Sequence, residues 1–432
     1  MIAAALALSA AVSFAQPAPR ALTLRDAVAA AVDANLQAKL AKAQNAQARA
    51  RALQAAAALL PRVNGSVSQT RVFKENLAAL GLSGPGPFPQ LLGPFDVFDA
   101  RVQLVAQVLD WSAAQRFRSA RADERAAGLE EALAREQVAA ATELAYVEAL
   151  RSKLATAAAE SDESLSAGLL KLAQDNRDAG LAAGIDVARA RTREAETRLE
   201  LIDAQTSVVE AELRLKRVAG IPLSTPLLLS DALSSAAVAA PDVEEAVGAA
   251  RRERAELAIV GLRLRSSELA ASSAGAQRLP TVSVSADEGL SGSVASDSRV
   301  TGSIGAALRV PLFSGGLITG QAREARAKRD EADAQAEDMA LQVEEDARLS
   351  VQRLAAAGER AVASAQSLAL AQDELQMARD RFAAGVGDNV EVLNAQTALA
   401  RARAEQVAAL AQQSDARINL ALALGKAGDF RF

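Results

Sequence analysis

The chain has 432 residues and a net charge of −5; half of its residues are hydrophobic, most of these are alanine, and only 3% of all residues are aromatic. This composition favours long helices that pack closely over a compact core of large side chains. The absence of Cys and His excludes disulfides, zinc fingers, thiol nucleophiles and imidazole bases, and the acidic balance argues against a nucleic-acid partner.

The N-terminus resembles a secretory signal peptide. Residues 2–14 are an apolar run, and Ser13-Phe-Ala15 is a small-x-small cleavage site. We therefore expect residues 1–15 to be a signal peptide, although no Lys or Arg precedes the apolar run. The alternative is that these residues begin a helix. No other uncharged apolar run reaches about 18 residues, so no membrane-spanning helix is expected.

Residues 21–220 are predicted to form a first structural repeat, in the order helix, two strands, long helix, tip and return helix. The first helix starts at the capping residue Thr23, and Pro61 follows its end. The predicted elements are one helix at 23–59, strands at about 62–73 and 97–109, a long helix at 111–179, a hairpin tip at 180–184 and a return helix at 186–218.

After an irregular linker at 221–240, the same order returns in residues 241–426. The glycines of the two predicted tips, Gly180 and Gly385, are 205 residues apart, and so are the acidic residues Asp186 and Glu391. We therefore interpret the tips as two copies of one feature. The second repeat is predicted to have a helix at 241–277, strands at about 281–288 and 300–310, a long helix to Phe382, a tip at 385–387 and a return helix at 388–424.

The predicted strands alternate apolar and polar residues, which is typical of a strand between two environments. About ten residues suit a membrane-spanning strand, but four strands cannot close a barrel, and open edges are not tolerated in lipid. Two chains would supply eight strands and three would supply twelve, and only the larger number leaves room for a sizeable channel. If the strands instead lie in water, their apolar faces need another cover.

Several motifs in this order resemble the outer membrane efflux protein family, the TolC-like channel-tunnels. They are Leu22-Thr-Leu-Arg-Asp-Ala27, Leu59-Leu-Pro61, Val310-Pro-Leu-Phe-Ser-Gly-Gly316, and Gly385 followed by Val390-Glu-Val-Leu-Asn-Ala-Gln396. The resemblance covers about residues 21–426. It implies a mainly helical homotrimer with a twelve-stranded outer-membrane β-barrel, continued by a periplasmic α-helical barrel. It also implies a periplasmic adaptor and an inner-membrane transporter of RND, ABC or MFS type as partners.

The acidic residues of the tips are candidate gate residues. A carboxylate in the first turn of a helix is favourable in itself, which is the alternative reading of Asp186. In the family, matching acids form a ring at the periplasmic entrance, so the resemblance implies that Glu391 attracts cations there. The second acid of that ring falls on Asn394. The family's latch residues fall on Phe382 and Gly387, which cannot make polar latch bonds, so packing around Phe382 is a candidate replacement.

The exposed turns of both tips are the candidate adaptor-docking residues. Simple chain reversal, which glycine favours, is the alternative explanation. The candidate residues are Gly180, Leu181 and Ala182 in the first tip and Ala384, Gly385 and Val386 in the second.

We predict no enzyme site, cofactor or metal site, because the one glycine-rich segment, Ser314–Gly320, lacks the features of a phosphate-binding loop. The leading hypothesis is a passive, gated exit duct across the periplasm and outer membrane, serving a tripartite efflux or type I secretion system. One alternative is a periplasmic coiled-coil scaffold, which would need no lipid-facing stripe. The other is the adaptor itself, which has one helical hairpin with β-rich domains, so two long-helix repeats argue against it.

Overall fold

The computed structural model describes residues 20–76, 91–180, 182–233 and 239–426, so the predicted signal peptide and Leu181 lie outside the described residues. The described chain is mainly helical, with a small part in strands. The strands are β1 Arg20–Leu22, β2 Arg62–Val72, β3 Glu75–Asn76, β4 Leu91–Leu92, β5 Phe95–Leu109, β6 Leu227–Leu229, β7 Thr281–Gly292 and β8 Arg299–Arg309. The helices are α1 Leu24–Ala34, α2 Leu36–Ala57, α3 Trp111–Asp178, α4 Gly184–Ala219, α5 Val243–Glu253, α6 Ala255–Ala276, α7 Leu317–Ala383 and α8 Asn389–Ala423.

The four long strands form one antiparallel sheet in the order β2-β5-β7-β8. Residues paired across the strands share a face, and the register therefore separates the sheet into a polar and an apolar face. The apolar face is open to solvent in the single chain: Ile304 is 83% exposed and Val67 is 76% exposed. The strands β2 and β8 are the two unpaired edges.

The predicted single helix at 23–59 is wrong. It breaks at Asn35, whose backbone is extended with φ −64° and ψ 141°. The side chain stabilises this break: its Nδ2 donates to the carbonyl of Val218 at 3.0 Å, and its Oδ1 accepts from the backbone N–H of Gln37 at 2.8 Å. Asparagine favours such local bonds over a continuous helix.

The predicted single helix at 241–277 is wrong in the same way. It breaks at Arg254, which has an extended backbone with ψ 120°. The Arg254 guanidinium pairs with Asp346 of α7 at 2.8 Å. Neither break has a proline or glycine, so both depend on contacts with other elements.

A glycine at the end of each return helix contacts the corresponding break. Gly220 has φ 68°, and a Cβ there would lie 2.3 Å from the Cβ of Ala34. Gly425 has φ 74°, and its Cβ would lie 3.0 Å from the carbonyl oxygen of Glu253. These two glycines are also 205 residues apart. Both positions need the left-handed backbone and the absence of a side chain.

The linker at 221–240, predicted to be irregular, contains β6, which pairs in parallel with β1. The hydroxyl of Tyr146 lies 2.9 Å from both the carbonyl of Leu22 and the carboxylate of Asp231. That carboxylate also accepts from the backbone N–H of Leu24 at 2.7 Å. These bonds hold Asp231, in the middle of the linker, against α1 and α3.

The chain divides into two compact units, each of which draws on both repeats. One comprises the described residues of Met1–Lys42, Glu131–Ala255 and Ala340–Phe432, and the other those of Ala43–Glu130 and Glu256–Met339. The first contains both hairpin tips and the second contains the sheet. Among the described helices, none is both long and apolar enough to cross a bilayer.

Candidate functional site: the hairpin tips

The first tip reverses the chain between α3 and α4 through a left-handed glycine. Gly180 has φ 76°. Its N–H donates to the carbonyl of Arg177 at 2.9 Å, and the N–H of Ala182 donates to the carbonyl of Asn176 at 3.2 Å. These bonds satisfy the last carbonyls of α3, as in other glycine-terminated helices.

Asp186 caps the start of α4. Its carboxylate accepts from the backbone N–H of Ala183 at 3.0 Å, and Arg189 lies 3.6 Å away. Because alanine cannot cap a helix with its own side chain, Asp186 supplies the acceptor that this helix start needs. Its side chain is only 15% exposed. The helix-capping reading of Asp186 therefore has a direct structural basis.

The second tip has the same left-handed glycine but a different division of roles. Gly385 has φ 71°, and the N–H of Val386 donates to the carbonyl of Arg381 at 3.1 Å. Here Asp388, not Glu391, caps the return helix: its carboxylate accepts from the N–H of Val390 at 3.1 Å. Gly387 packs closely on the turn, since a Cβ there would lie 3.0 Å from the Cβ of Arg381.

Glu391 is thereby left free of a capping role. It lies 3.3 Å from Arg381, and its side chain is 49% exposed. Asn394, one turn further along α8, is also exposed. The structure therefore places both predicted ring residues of the second tip on its accessible surface, with Glu391 in an exposed ion pair.

Phe382 is only 6% exposed, although it lies next to the turn. It belongs to an apolar cluster that joins the ends of α7 and α8 and includes Leu375, Ala378, Val392 and Ala395. The residue 205 positions earlier is Arg177, which is exposed. The second tip therefore has an apolar plug, Phe382, where the first has an exposed arginine. The first tip has a smaller apolar cluster of its own, formed by Leu170, Ala173, Val187 and Ala190.

A side chain that the sequence analysis did not single out joins the two tips. Asn389, the first residue of α8, is buried, and its Nδ2 donates to the backbone carbonyl of Asp186 at 3.0 Å. The first repeat has Gly184 at the equivalent position. This departure from the repeat is the signal that could have identified Asn389.

An ion pair also joins α3 to α8 away from the turns. Arg403 donates to the carboxylate of Asp162, which is buried. Burial raises the pKa of Asp162, and the nearby Arg403 opposes that rise. No local sequence pattern distinguishes Asp162 from the exposed carboxylates of the same helix.

Farther along α3, Glu143 is a buried carboxylate of a different kind. It is 2% exposed, and its Oε2 has no hydrogen-bond partner. Desolvation raises the pKa of Glu143 to about 8. Among the described residues, no acidic cluster has an arrangement that could hold a metal ion.

The candidate docking residues described by the structure lie on the outside of the turns. Val386 is highly exposed, and Gly180 and Gly385 have open space where a Cβ would lie. Ala182 is half-buried and Ala384 is exposed. The prediction for Leu181 lies outside the described residues.

Comparison with known proteins gives a family for the second repeat and a fold for nearly the whole chain. Residues 246–426 match the family model described as "Outer membrane efflux protein". No curated protein matches the sequence.

The fold is similar to three solved outer-membrane channels, all of them distant in sequence. The Vibrio cholerae outer membrane protein VceC is 21% identical, with a TM-score of 0.81 over 94% of this chain and 97% of that one. The Campylobacter jejuni CmeC channel is 16% identical, with a TM-score of 0.82 over 94% and 86%. The Neisseria gonorrhoeae MtrE channel, solved in an open state, is 13% identical, with a TM-score of 0.75 over 94% and 89%.

At these identities the solved structures establish the fold alone. The family itself rests on the sequence of the second repeat. Residues 246–426 therefore match the outer membrane efflux protein family, and the described chain has the fold of solved outer-membrane channels.

Proposed function

We propose that three copies of the chain form a gated, passive exit duct in the outer membrane, as one part of a tripartite efflux or type I secretion system. The four strands of each copy contribute to a twelve-stranded barrel, and the hairpins of the three copies form a periplasmic helical barrel that ends at the tips. An N-terminal signal peptide takes the chain to the periplasm. Transport needs no catalytic residue, because the transporter partner supplies the energy.

The observation that carries this proposal is the sheet. It has two open edges and an exposed apolar face with valine, leucine and isoleucine side chains. Unpaired strand edges promote pairing with another chain, and an exposed apolar face of this size needs a cover. Lipid on the apolar face, with β8 of one copy paired to β2 of the next, satisfies both needs.

An arginine scan of the two faces tests the barrel. Ile304→Arg places a charge on the apolar face, whereas Thr301→Arg places the same charge on the polar face of the same strand. In a barrel, the first substitution costs about 2–4 kcal/mol per copy near the bilayer midplane and prevents membrane assembly. The second is tolerated. Equal recovery of both variants as trimers in the outer-membrane fraction would support a scaffold without a barrel.

We further propose that Glu391 helps to select ions at the entrance. Three copies would place three such carboxylates around one axis, where a ring of acids attracts cations. Its ion pair with Arg381 weakens this field. Glu391→Gln in a reconstituted trimer should shift the reversal potential in a KCl gradient towards anions. Glu405→Gln, which also removes an exposed ion-paired glutamate from α8, is the matched control. Equal shifts would remove Glu391 from the gate.

The tips are also the proposed contact with a periplasmic adaptor, which in turn binds an inner-membrane transporter. Their small exposed residues allow the backbone of a partner to approach closely. Val386→Asp alters this surface without touching the buried cluster around Phe382. We expect it to reduce adaptor co-purification while the amount of trimer stays the same. Unchanged adaptor binding would assign these turns to chain reversal alone.

A further inference from the structure

The polar face of the sheet holds more positive than negative charge. Its two carboxylates, Asp99 and Asp287, are both bound by Arg101; the Asp99 pair is 2.6 Å apart. Asp287 also accepts from the hydroxyl of Ser303 at 2.5 Å. Both acids are therefore paired with one arginine of the same face, and the three side chains together keep a net charge of −1.

Three other arginines of this face, Arg62, Arg299 and Arg309, have no such partner among the described residues, and Arg299 lies at the opposite end of β8 from Arg309. Arg62 is opposite Val105 and Arg309 is opposite Thr281, and both are exposed and outside every ion pair of the described residues. The nearby Asp110, just beyond the end of β5, is engaged as the cap of α3, since it accepts from the N–H of Ala113 at 2.8 Å.

The topology places Arg62 and Arg309 at the same end of the sheet. Arg62 is the first residue of β2, and Arg309 is the last residue of β8. Three successive antiparallel pairings separate these strands, so they run in opposite directions. The start of β2 and the end of β8 are therefore at the same end of the sheet, although the two strands form its opposite edges.

Joining copies edge to edge brings the two positions close. This step rests on the proposed trimer, in which β8 of one copy pairs with β2 of the next. The polar faces must coincide across the joint, because a slip of one residue would turn the apolar side chains inwards. Arg309 of one copy and Arg62 of the next then lie at the same end of the joint and on the lumen side.

We propose that each joint is an anion-binding site, formed by Arg309 of one copy and Arg62 of the next, for a phosphate or carboxylate group of a passing solute. Two like charges side by side repel in the empty channel, and an anion between them relieves that repulsion. Guanidinium groups present paired donors that match the oxygens of phosphate and carboxylate. Because the arginines face away from the lipid side, a solute is favoured over a lipid phosphate.

Block of ionic current by pyrophosphate tests this site, with the full chain reconstituted as a trimer in a phosphatidylcholine bilayer. The wild type is expected to show block that saturates with pyrophosphate. In Arg62→Gln/Arg309→Gln, the half-blocking concentration should rise by about tenfold or more, because both charge-assisted bonds to the anion are lost. The charge-preserving Arg62→Lys/Arg309→Lys should retain most of the block.

Arg71→Gln is the matched control, since Arg71 lies on the apolar face of β2, opposite Asp96. It should leave the block unchanged. Block that persists in the double glutamine variant, or that weakens equally in Arg71→Gln, overturns the site. Loss of block after phosphatidylglycerol is added to the bilayer would instead assign the arginines to lipid phosphates and overturn a solute site.

The experiment distinguishes failure of the proposed trimer from failure of the anion-binding site. If the wild type gives neither a trimer by native mass spectrometry nor a conducting channel, both the duct and this site are wrong. A conducting wild-type trimer without pyrophosphate block overturns the site alone.

Discussion

The two hairpin tips occupy equivalent places in the repeat but use their acidic residues differently. Asp186 accepts a backbone N–H at the start of its own helix and is largely buried. Glu391, 205 residues later, leaves capping to Asp388 and exposes about half of its side chain. The Asp186 carboxylate is held against the start of its own helix, whereas the Glu391 carboxylate is accessible, so the matched position is structural in one tip and open to solutes in the other.

The surroundings of the tips differ in the same direction. Phe382 packs the second turn against its return helix, whereas its counterpart Arg177 is exposed and pairs with Asp178 at 2.8 Å. The second tip therefore adds a buried aromatic side chain to its turn. Both turns share the same kind of backbone hydrogen bonds, and the first has its own apolar cluster around Val187. Variants at matched positions can test this difference.

The largest expected effect is at Phe382. Phe382→Ala removes most of a buried side chain and should reduce the free energy of unfolding by about 3–5 kcal/mol. Arg177→Ala at the equivalent position should cost less than about 1 kcal/mol, because exposed ion pairs contribute little. Urea denaturation of both variants, followed by circular dichroism, measures the difference. Similar losses in the two variants would contradict the apolar plug.

A buried carboxylate provides the opposite extreme to Glu391. The pKa of Glu143 is raised to about 8 in the folded chain from an ordinary 4.5, so the folded state retains a proton that the unfolded state releases. Stability therefore falls as pH rises through this window. Glu143→Gln should remove that fall and stabilise the protein at pH 9 by about 1–3 kcal/mol. Melting temperatures of wild type and variant between pH 5 and 9 measure this pH dependence. Parallel curves for the two proteins would contradict the assignment of the loss to Glu143.

The sequence allowed the elements to be located where a local pattern repeats. The alternation around Leu104 and Ile304 places strands within a few residues of β5 and β8, because one face meets an apolar environment and the other a polar one. Apolar residues of α7 that are spaced by multiples of seven, as in a coiled-coil seam, are buried: Ala347, Leu354, Ala361, Leu375 and Phe382. Both tips could be located from their glycines, Gly180 and Gly385, which are 205 residues apart.

The features that the sequence did not predict depend on contacts between distant segments. The breaks at Asn35 and Arg254 have neither proline nor glycine, and they depend on bonds to the distant residues Val218 and Asp346. The local bond from Gln37 to Asn35 gives only the first of them a weak local signal. Likewise, Asp162 is indistinguishable from a solvated helix carboxylate until Arg403 lies against it. Gly220 and Gly425, however, have the same 205-residue offset as the tips, so the sequence alone could have identified them as a matched pair.

A smaller effect is expected at the cap of the first tip. Asp186→Ala removes the acceptor for the N–H of Ala183 and should cost about 1 kcal/mol, the usual value for a lost helix cap. Asp186→Asn keeps an acceptor oxygen and should recover most of that stability. If Asp186→Asn loses as much as Asp186→Ala, the negative charge itself matters, and the first tip would then resemble the second more than its geometry indicates.

The smallest expected effect on stability is at Glu391. Glu391→Gln breaks only an exposed pair with Arg381 and should change the free energy of unfolding by less than about 0.5 kcal/mol. If the stability is unchanged, a change in ion selectivity can be attributed to the lost charge. A displaced helix would lower the stability as well. The measurement pairs urea denaturation with the reversal potential of the same preparation. If the free energy of unfolding fell by more than about 1 kcal/mol, Glu391 would have the same structural role as Asp186, because both acids would then stabilise their own helices.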